Sequence, residues 1–304
     1  MYTISLGQSG LAVPTVAVGC MRFADKTEKE VAALIDTALS CGANFFDHAD
    51  IYGFGKSEEV FAQALKAWKR EDVILQTKCG IVPGVMYDFS YEHITESVNG
   101  SLKRLNTDYI DVLLLHRPDA LMEPEEVARA FEELKASGKV RHFGVSNQNP
   151  SQMALLQQAL PMPLCVNQVQ FGIMHTPMIE AGIHVNLKTA SAVDRDGGVL
   201  DYCRLHGITV QPWSPMQYGF FEGCFVDNPQ FPALNDVMAR IASRYGVSKT
   251  TVAIAWILRH PAKLQPVTGT TDITRLKDSL KAADIRLTRE EWYEIYKAAG
   301  NTLP

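Results

Sequence analysis

The chain reads as an α/β protein, a (β/α)8 TIM barrel with an N-terminal β-hairpin, on three observations. Eight short, continuous apolar runs are spread along it, and seven of the intervals between them hold at least one amphipathic helical pattern. No Pro-, Ser- or Gly-rich linker and no low-complexity tract interrupts the alternation. The 304 residues leave room for a barrel, which takes ~250 as one unit. Runs that short and apolar suit strands buried on both faces of a parallel sheet. Eight units in one unbroken chain favour a closed barrel over two dinucleotide-binding halves, so 1–304 is read as a single domain.

In order, the chain opens with YTISL, a QSG turn and LAVPTVAVG, a hairpin running into the first strand, PTVAVG. EKEVAALIDTALSCG (28–42) has apolar residues at helical spacing and closes at Gly. ANFFDHA is the second strand. SEEVFAQALKAW (57–68) follows as a helix, with Ser57 as its cap and Glu58 and Glu59 favourable to the helix dipole. DVILQTK with 92–105, YIDVLLLH with 123–138, and RHFGVS with 149–160 repeat the unit. After LCVNQVQ, the stretch 179–198 fits neither period and is set down as an excursion before the sixth helix. GITVQPWS and KLQPVTG are the last strands. Between them 217–231, QYGFFEGCFVDNPQF, reads as a long aromatic-rich loop, a kind that often carries function.

A net charge of −5 without any Lys/Arg run argues against a nucleic-acid or anionic-membrane partner. A bound phosphate needs only a local cluster. Cys20, Cys41, Cys79, Cys165, Cys203 and Cys224 are scattered without a CxxC pair, the pattern of reduced thiols in a cytosolic protein. MYTISLGQSG is not a signal peptide, and no apolar stretch approaches ~20 residues. A cytoplasmic protein is expected.

Six of the eight apolar runs end in polar or aromatic groups: Asp47 and Tyr52, Lys78, His116, Ser146 and Asn147, Gln168, then Trp213 and Ser214. Alone, each is as well explained by solvation or a routine hydrogen bond. In a barrel all these ends meet on one rim, where active sites are built. A buried Lys78 needs a counter-charge, which Asp47 can supply. Its ammonium beside the Tyr52 phenol would stabilise the phenolate and lower a pKa ordinarily near ~10. Tyr52 would then serve as a general acid, with His116 orienting a carbonyl oxygen. That set suits carbonyl reduction by hydride. No activated Ser or Cys accompanies it for hydrolysis, and no spaced His/Asp/Glu set offers a metal site.

Asp47-x-Ala49-x-x-Tyr52-Gly53, Lys78 at a strand end, His116 in LLLHRPD, GVSN (144–147), NQVQ (167–170) and WSPM (213–216) stand in order at barrel spacing. Together they resemble the aldo-keto reductase superfamily over nearly the whole chain, and within it the bacterial YdhF-type oxidoreductases. The resemblance implies Asp47, Tyr52, Lys78 and His116 as the catalytic set. It implies NADP(H) as cofactor in preference to NAD(H). Ser146, Asn147 and Gln168 would hydrogen-bond its nicotinamide carboxamide, Trp213 would stack on that ring, and Gly19, Met21 and Asp47 are further cofactor-binding positions. Ser214, Pro215 and Met216 would line the pyrophosphate path. Gly269, Thr270 and Arg275 would take the 2′-phosphate, with Asp278 and Ser279 near the adenine. An arginine there offers bidentate, charge-assisted contacts. Asp272 departs from the pattern and would repel a phosphate if it pointed inward. Met21, Tyr52, Phe54 and His116 are the expected substrate pocket. A small-molecule carbonyl substrate and a monomer are further implications.

Other residues have blander readings. His48 points away from Asp47 on an alternating strand and is read as a structural hydrogen-bonder. Asp50 is read as a cap or loop residue. Gly53-Phe54-Gly55 lacks the third glycine of a dinucleotide fingerprint, because Glu58 stands there. Trp256 is read as core. The competing function is a cofactor-sensing binding subunit with little turnover, since some members of the superfamily are auxiliary channel subunits.

Overall fold

The structure, a computed structural model, describes residues 2–304. Eight strands form one parallel sheet: β1 (Ala17–Gly19), β2 (Phe45–Asp47), β3 (Ile74–Cys79), β4 (Ile110–Leu115), β5 (Val140–Ser146), β6 (Leu164–Gln170), β7 (Thr209–Trp213) and β8 (Val267–Thr268). Each lies beside its neighbour in sequence, and β8 returns to lie beside β1. At the seam, the Gln265 N–H donates to Val210 O at 3.1 Å and links β7 to the approach of β8. The fold is the expected TIM barrel.

Thr3–Ser5 pairs antiparallel with Ala12–Pro14 in the expected hairpin. Leu6 and Val13 join Phe45, Ile74, Val112 and Val166 in an apolar cluster that caps the barrel floor. Gly7 turns there at φ 53, where a Cβ would stand 2.4 Å from Cys165 O, so only glycine lets the hairpin approach β6 this closely. A second, larger core lies between the sheet and the helices.

The helices are α1 (Glu28–Ser40), α2 (Lys56–Ala64), α3 (Tyr91–Leu105), α4 (Pro124–Ala136), α5 (Pro150–Ala159), α6 (Pro177–Ile183), α7 (Val199–Leu205), α8 (Pro232–Tyr245), α9 (Lys249–Leu258), α10 (Ile273–Lys281) and α11 (Arg289–Ala298). The excursion at 179–198 resolves into the short α6 and a turn in which Asp194 Oδ1 accepts from the Asp196 and Gly197 N–H groups. Within 217–231, Gln217–Tyr218 pairs with Gly223–Cys224 as a two-residue ribbon. Trp256 is core as expected, stacked on Trp292 at 4.7 Å. Among the described residues, no helix is long and apolar enough to cross a membrane.

Candidate active site

The carboxyl ends of the strands bring Asp47, Tyr52, Lys78 and His116 to one point. Lys78 lies on β3 with its side chain wholly buried, so its ammonium must be satisfied inside the protein. It donates to Asp47 Oδ2 at 2.8 Å, to His48 O at 2.7 Å and to Tyr52 Oη at 3.2 Å, which uses all three of its protons. His116, just beyond β4, sets its ring edge-to-face against Tyr52, with centroids 6.0 Å apart.

The electrostatics follow from burial. Burial alone would lower the Lys78 pKa, but the charges of Asp47 and Tyr52 outweigh it and hold the ammonium above its ordinary value. Tyr52 goes the other way from the expectation. Burial raises its phenol above the ordinary 10.0, and Lys78 offsets this only in part. The resting phenol is therefore protonated at neutral pH. His116 is pushed well below 6.5, first by burial and then by Lys78 and Arg117, so its ring is neutral. Its buried Nδ1 has no partner.

Beneath this cluster is a layer of buried glutamines, of which the sequence singles out only Gln168. Gln76 and Gln168 donate to Asp47 Oδ1 at 2.6 and 3.1 Å, and both also donate to Gln211 Oε1. Gln211 in turn donates to Gln265 Oε1 at 2.9 Å, and Gln265 donates to Pro14 O of the hairpin. The carboxylate of Asp47 is thus held on both oxygens. A signal existed, because Gln76 stands two residues before Lys78 and Gln211 two before Trp213. On a strand, that spacing places each pair on the same face.

Above the cluster a cavity of about 740 Å³ opens along the rim, from Ile51 and Tyr52 to Thr270 and Arg275. Its size is that of a small-molecule site. The Trp213 ring forms one wall, with its Nε1 donating to Asn147 Oδ1 at 3.0 Å. Gln168 donates through Nε2, and its Oε1 accepts no hydrogen bond among the described residues.

The sequence model of the Aldo/keto reductase family matches residues 15–299. The chain belongs to that family. A 6-dehydroglucose reductase of Novosphingobium aromaticivorans is 35% identical, with 98% of this chain and 96% of that one covered. The oxidoreductase YdhF of Escherichia coli is 34% identical, with 97% of each chain covered. Among solved structures, the thermostable aldo-keto reductase Tm1743 with the inhibitor epalrestat matches with a TM-score of 0.79 at 25% identity. That match covers 98% of this chain and 100% of the other. The protein is therefore an aldo-keto reductase, an enzyme of a family that carries out carbonyl oxidoreduction with nicotinamide cofactors.

The residues of this aldo-keto reductase fit such a cofactor. A flat indole stands on the rim, Gln168 Oε1 is free to accept from a carboxamide, and Arg22 and Arg275 supply cations at the β1–β8 end. Arg22 donates to Gly269 O at 2.8 Å. It follows Met21 directly after β1, a rim position whose signal the sequence reading passed over. Gly19, Met21, Ser146, Asn147, Ser214, Pro215, Met216, Gly269 and Thr270 all line the cavity. Ser146 and Asn147 also bond each other at 2.7 Å, and Phe221 stacks on Trp213 at 5.9 Å. A bound nicotinamide must use the other face of the indole or displace Phe221. Asp272 lines the cavity as well, with its Oδ1 accepting from the Arg275 N–H as the cap of α10, so its charge stands near any phosphate bound there.

Several expected residues lie elsewhere. Phe54 is 90% exposed and off the cavity. Gly53, Phe54 and Gly55 all have positive φ (57°, 54° and 88°), and this tight left-handed turn throws the phenyl ring outward. Asp278 and Ser279 do not line the cavity. Ser279 is buried on α10, donating to Arg275 O at 2.8 Å. Ser57 is not a cap. Gly55 precedes α2, and the Ser57 hydroxyl ties the helix to β1 by donating to Cys20 O at 2.7 Å. His48 bonds nothing through its ring. Both nitrogens are buried and unpartnered, the ring packs on Phe61 at 4.6 Å, and burial followed by Lys78 lowers its pKa to about 3.

Asp50 lies in the turn after β2, as a loop residue and not a helix cap. Burial, then the nearby Glu58 carboxylate, raises its pKa from 3.8 to about 7, against a smaller pull from Arg104. Glu58 already holds Arg104 at 2.8 Å, and Thr77 donates to it at 2.7 Å. The folded state therefore binds a proton on Asp50 between about pH 4 and 7 that the unfolded chain does not. Stability from this group falls as pH rises through that window. Asp50→Asn is expected to raise Tm at pH 8 by ~2–4 °C, the shift that ~1–3 kcal/mol produces at ~2.1 cal/mol/K of unfolding entropy per residue, and by much less at pH 5. Melting curves at both pH values check this, and equal shifts would refute it.

Proposed function

We propose that this enzyme reduces aldehydes or ketones to alcohols with NADP(H), and that Tyr52 gives its proton to the carbonyl oxygen. The observation that carries the reading is the Lys78 ammonium, wholly buried and shared between Asp47 and Tyr52 Oη. The phenol holds its proton at rest because it is buried. As the carbonyl oxygen gains negative charge, that proton moves to it, and the forming phenolate lies 3.2 Å from a cation already in place. The neutral His116 offers an N–H to the same oxygen and fixes its orientation. Gln76 and Gln168 keep Asp47 aimed at Lys78. When bound, the reduced nicotinamide supplies the hydride to the carbonyl carbon.

On this reading Ser146, Asn147 and Gln168 hold the carboxamide and Trp213 the ring. Ser214, Pro215 and Met216 follow the pyrophosphate. Gly269, Thr270 and Arg275, with Arg22 added, take the 2′-phosphate. The chain acts as one barrel domain, a cytoplasmic monomer working on a small-molecule carbonyl compound. Purified protein mixed with NADPH or NADH and a panel of aldehydes should consume NADPH faster. Arg275→Leu should lower the NADPH-over-NADH preference about tenfold, the factor carried by a charge-assisted contact worth ~1.5 kcal/mol. Tight cofactor binding with no turnover on any carbonyl would instead favour an auxiliary binding role.

A further inference from the structure

The charges lining the cavity do not cancel. Three carboxylates face it: Asp47 and Asp227 are neutralised by Lys78 and Lys249, whereas Asp272 caps α10 and keeps its charge, so with three arginines the balance is two positive charges. Three arginines also face it, Arg22, Arg117 and Arg275, and none makes an ion pair among the described residues. A chain with a net charge of −5 thus presents surplus positive charge in this one place.

The surplus has two ends. Arg22 follows β1 and Arg275 stands in α10 after β8, and these two strands are neighbours. Arg117 follows β4, four strands from β8 and so on the opposite side of the ring. The phosphate end therefore has no claim on Arg117.

Arg117 is half-buried beside His116. The nearest acid in sequence, Asp119, does not neutralise it. The Asp119 oxygens accept from the Leu121 and Phe89 N–H groups at 2.8 and 2.9 Å. The guanidinium lies 5.6 Å from the Trp213 ring centroid, near the outer limit of a cation–π contact, and its five N–H donors bond nothing among the described residues. A partly desolvated cation without a counter-charge is costly, and a ligand that brings the charge removes the cost.

We propose that Arg117 binds an anionic group of the substrate, a carboxylate or phosphate carried close to the reacting carbonyl. This rests on the carbonyl-reductase reading and names its substrate class, oxo acids or phosphorylated aldehydes. The placement fits that role. Arg117 adjoins the residue that orients the carbonyl oxygen and borders the wall where the cofactor ring would lie. The planar fork of arginine matches either anion with paired hydrogen bonds.

The test uses matched pairs that differ in charge: 4-oxobutanoate against butanal, and glyceraldehyde 3-phosphate against glyceraldehyde, with NADPH. The wild type should prefer the anionic member of at least one pair by about tenfold in kcat/KM, mostly through KM. The pair that shows the preference identifies the anion. Arg117→Met should bring that ratio close to one, and Arg117→Lys should keep part of it. No charge preference in either pair overturns the proposal, as does an equal loss on both members in the Met variant, which would mean that Arg117 only supports Trp213. If no carbonyl is reduced at all, the carbonyl-reductase reading fails separately. Calorimetric titration with succinate and with inorganic phosphate then decides the matter. Binding of either that is lost in Arg117→Met supports the site, and absent or unchanged binding overturns it.

Discussion

Tyr52→Phe is expected to cut carbonyl turnover by about 10²- to 10⁴-fold while NADPH still binds with near wild-type affinity. The substitution removes one hydroxyl and leaves the ring on which His116 packs, so the geometry of the cavity is kept. What is lost is the donor 3.2 Å from Lys78 Nζ. Because the proton is needed as charge develops, the loss should fall on kcat and on kcat/KM alike. The pH profile adds a second readout. Burial holds the phenol above its ordinary value, so wild-type reduction should stay active through neutral pH and fall only in the alkaline range, as the phenol loses its proton. That alkaline limb should be absent from the residual activity of Tyr52→Phe. Stopped-flow consumption of NADPH with an aldehyde series measures both effects. Turnover equal to wild type on several aldehydes would remove Tyr52 from the acid role.

The direction of that shift also marks the boundary of what the sequence can say. Strand ends are legible because apolar runs stop at polar residues, and parallel strands put those stops on one rim. Asp47, Lys78 and His116 were found that way, and the structure brings them within reach of Tyr52. The degree of burial is a property of the assembled barrel, and burial rather than Lys78 sets the sign of the Tyr52 shift. Phe54 was misplaced for a related reason. Three consecutive left-handed residues decide where its ring points, and only the two glycines hinted at them. Helix α9 carries no polar face to mark it in the sequence, because Thr250–Ile257 are buried all round. Strand alternation turns His48 away from Asp47, but it does not reveal that its neighbours there offer the Phe61 ring rather than a hydrogen-bond partner.

The glutamine layer beneath Asp47 bears on the other large effect, which concerns stability as well as catalysis. Lys78→Met is expected to abolish turnover and to destabilise the fold by about 3–5 kcal/mol, because it leaves the Asp47 carboxylate buried without its cation. Gln76 and Gln168 still donate to Oδ1, but neutral amides do not replace the ammonium on Oδ2. Adding Asp47→Asn to that variant removes the orphaned charge while keeping an acceptor for both glutamines. Much of the stability should then return, as it does when a buried pair is replaced as a unit. Turnover should not return, since the cation beside Tyr52 is still missing. Urea unfolding at pH 7 with the NADPH assay on the same preparations separates the two roles. If Lys78→Met unfolds at the wild-type urea concentration, the buried pair is not what holds this part of the barrel. If the double variant recovers turnover with stability, Lys78 acts on Tyr52 only through the fold.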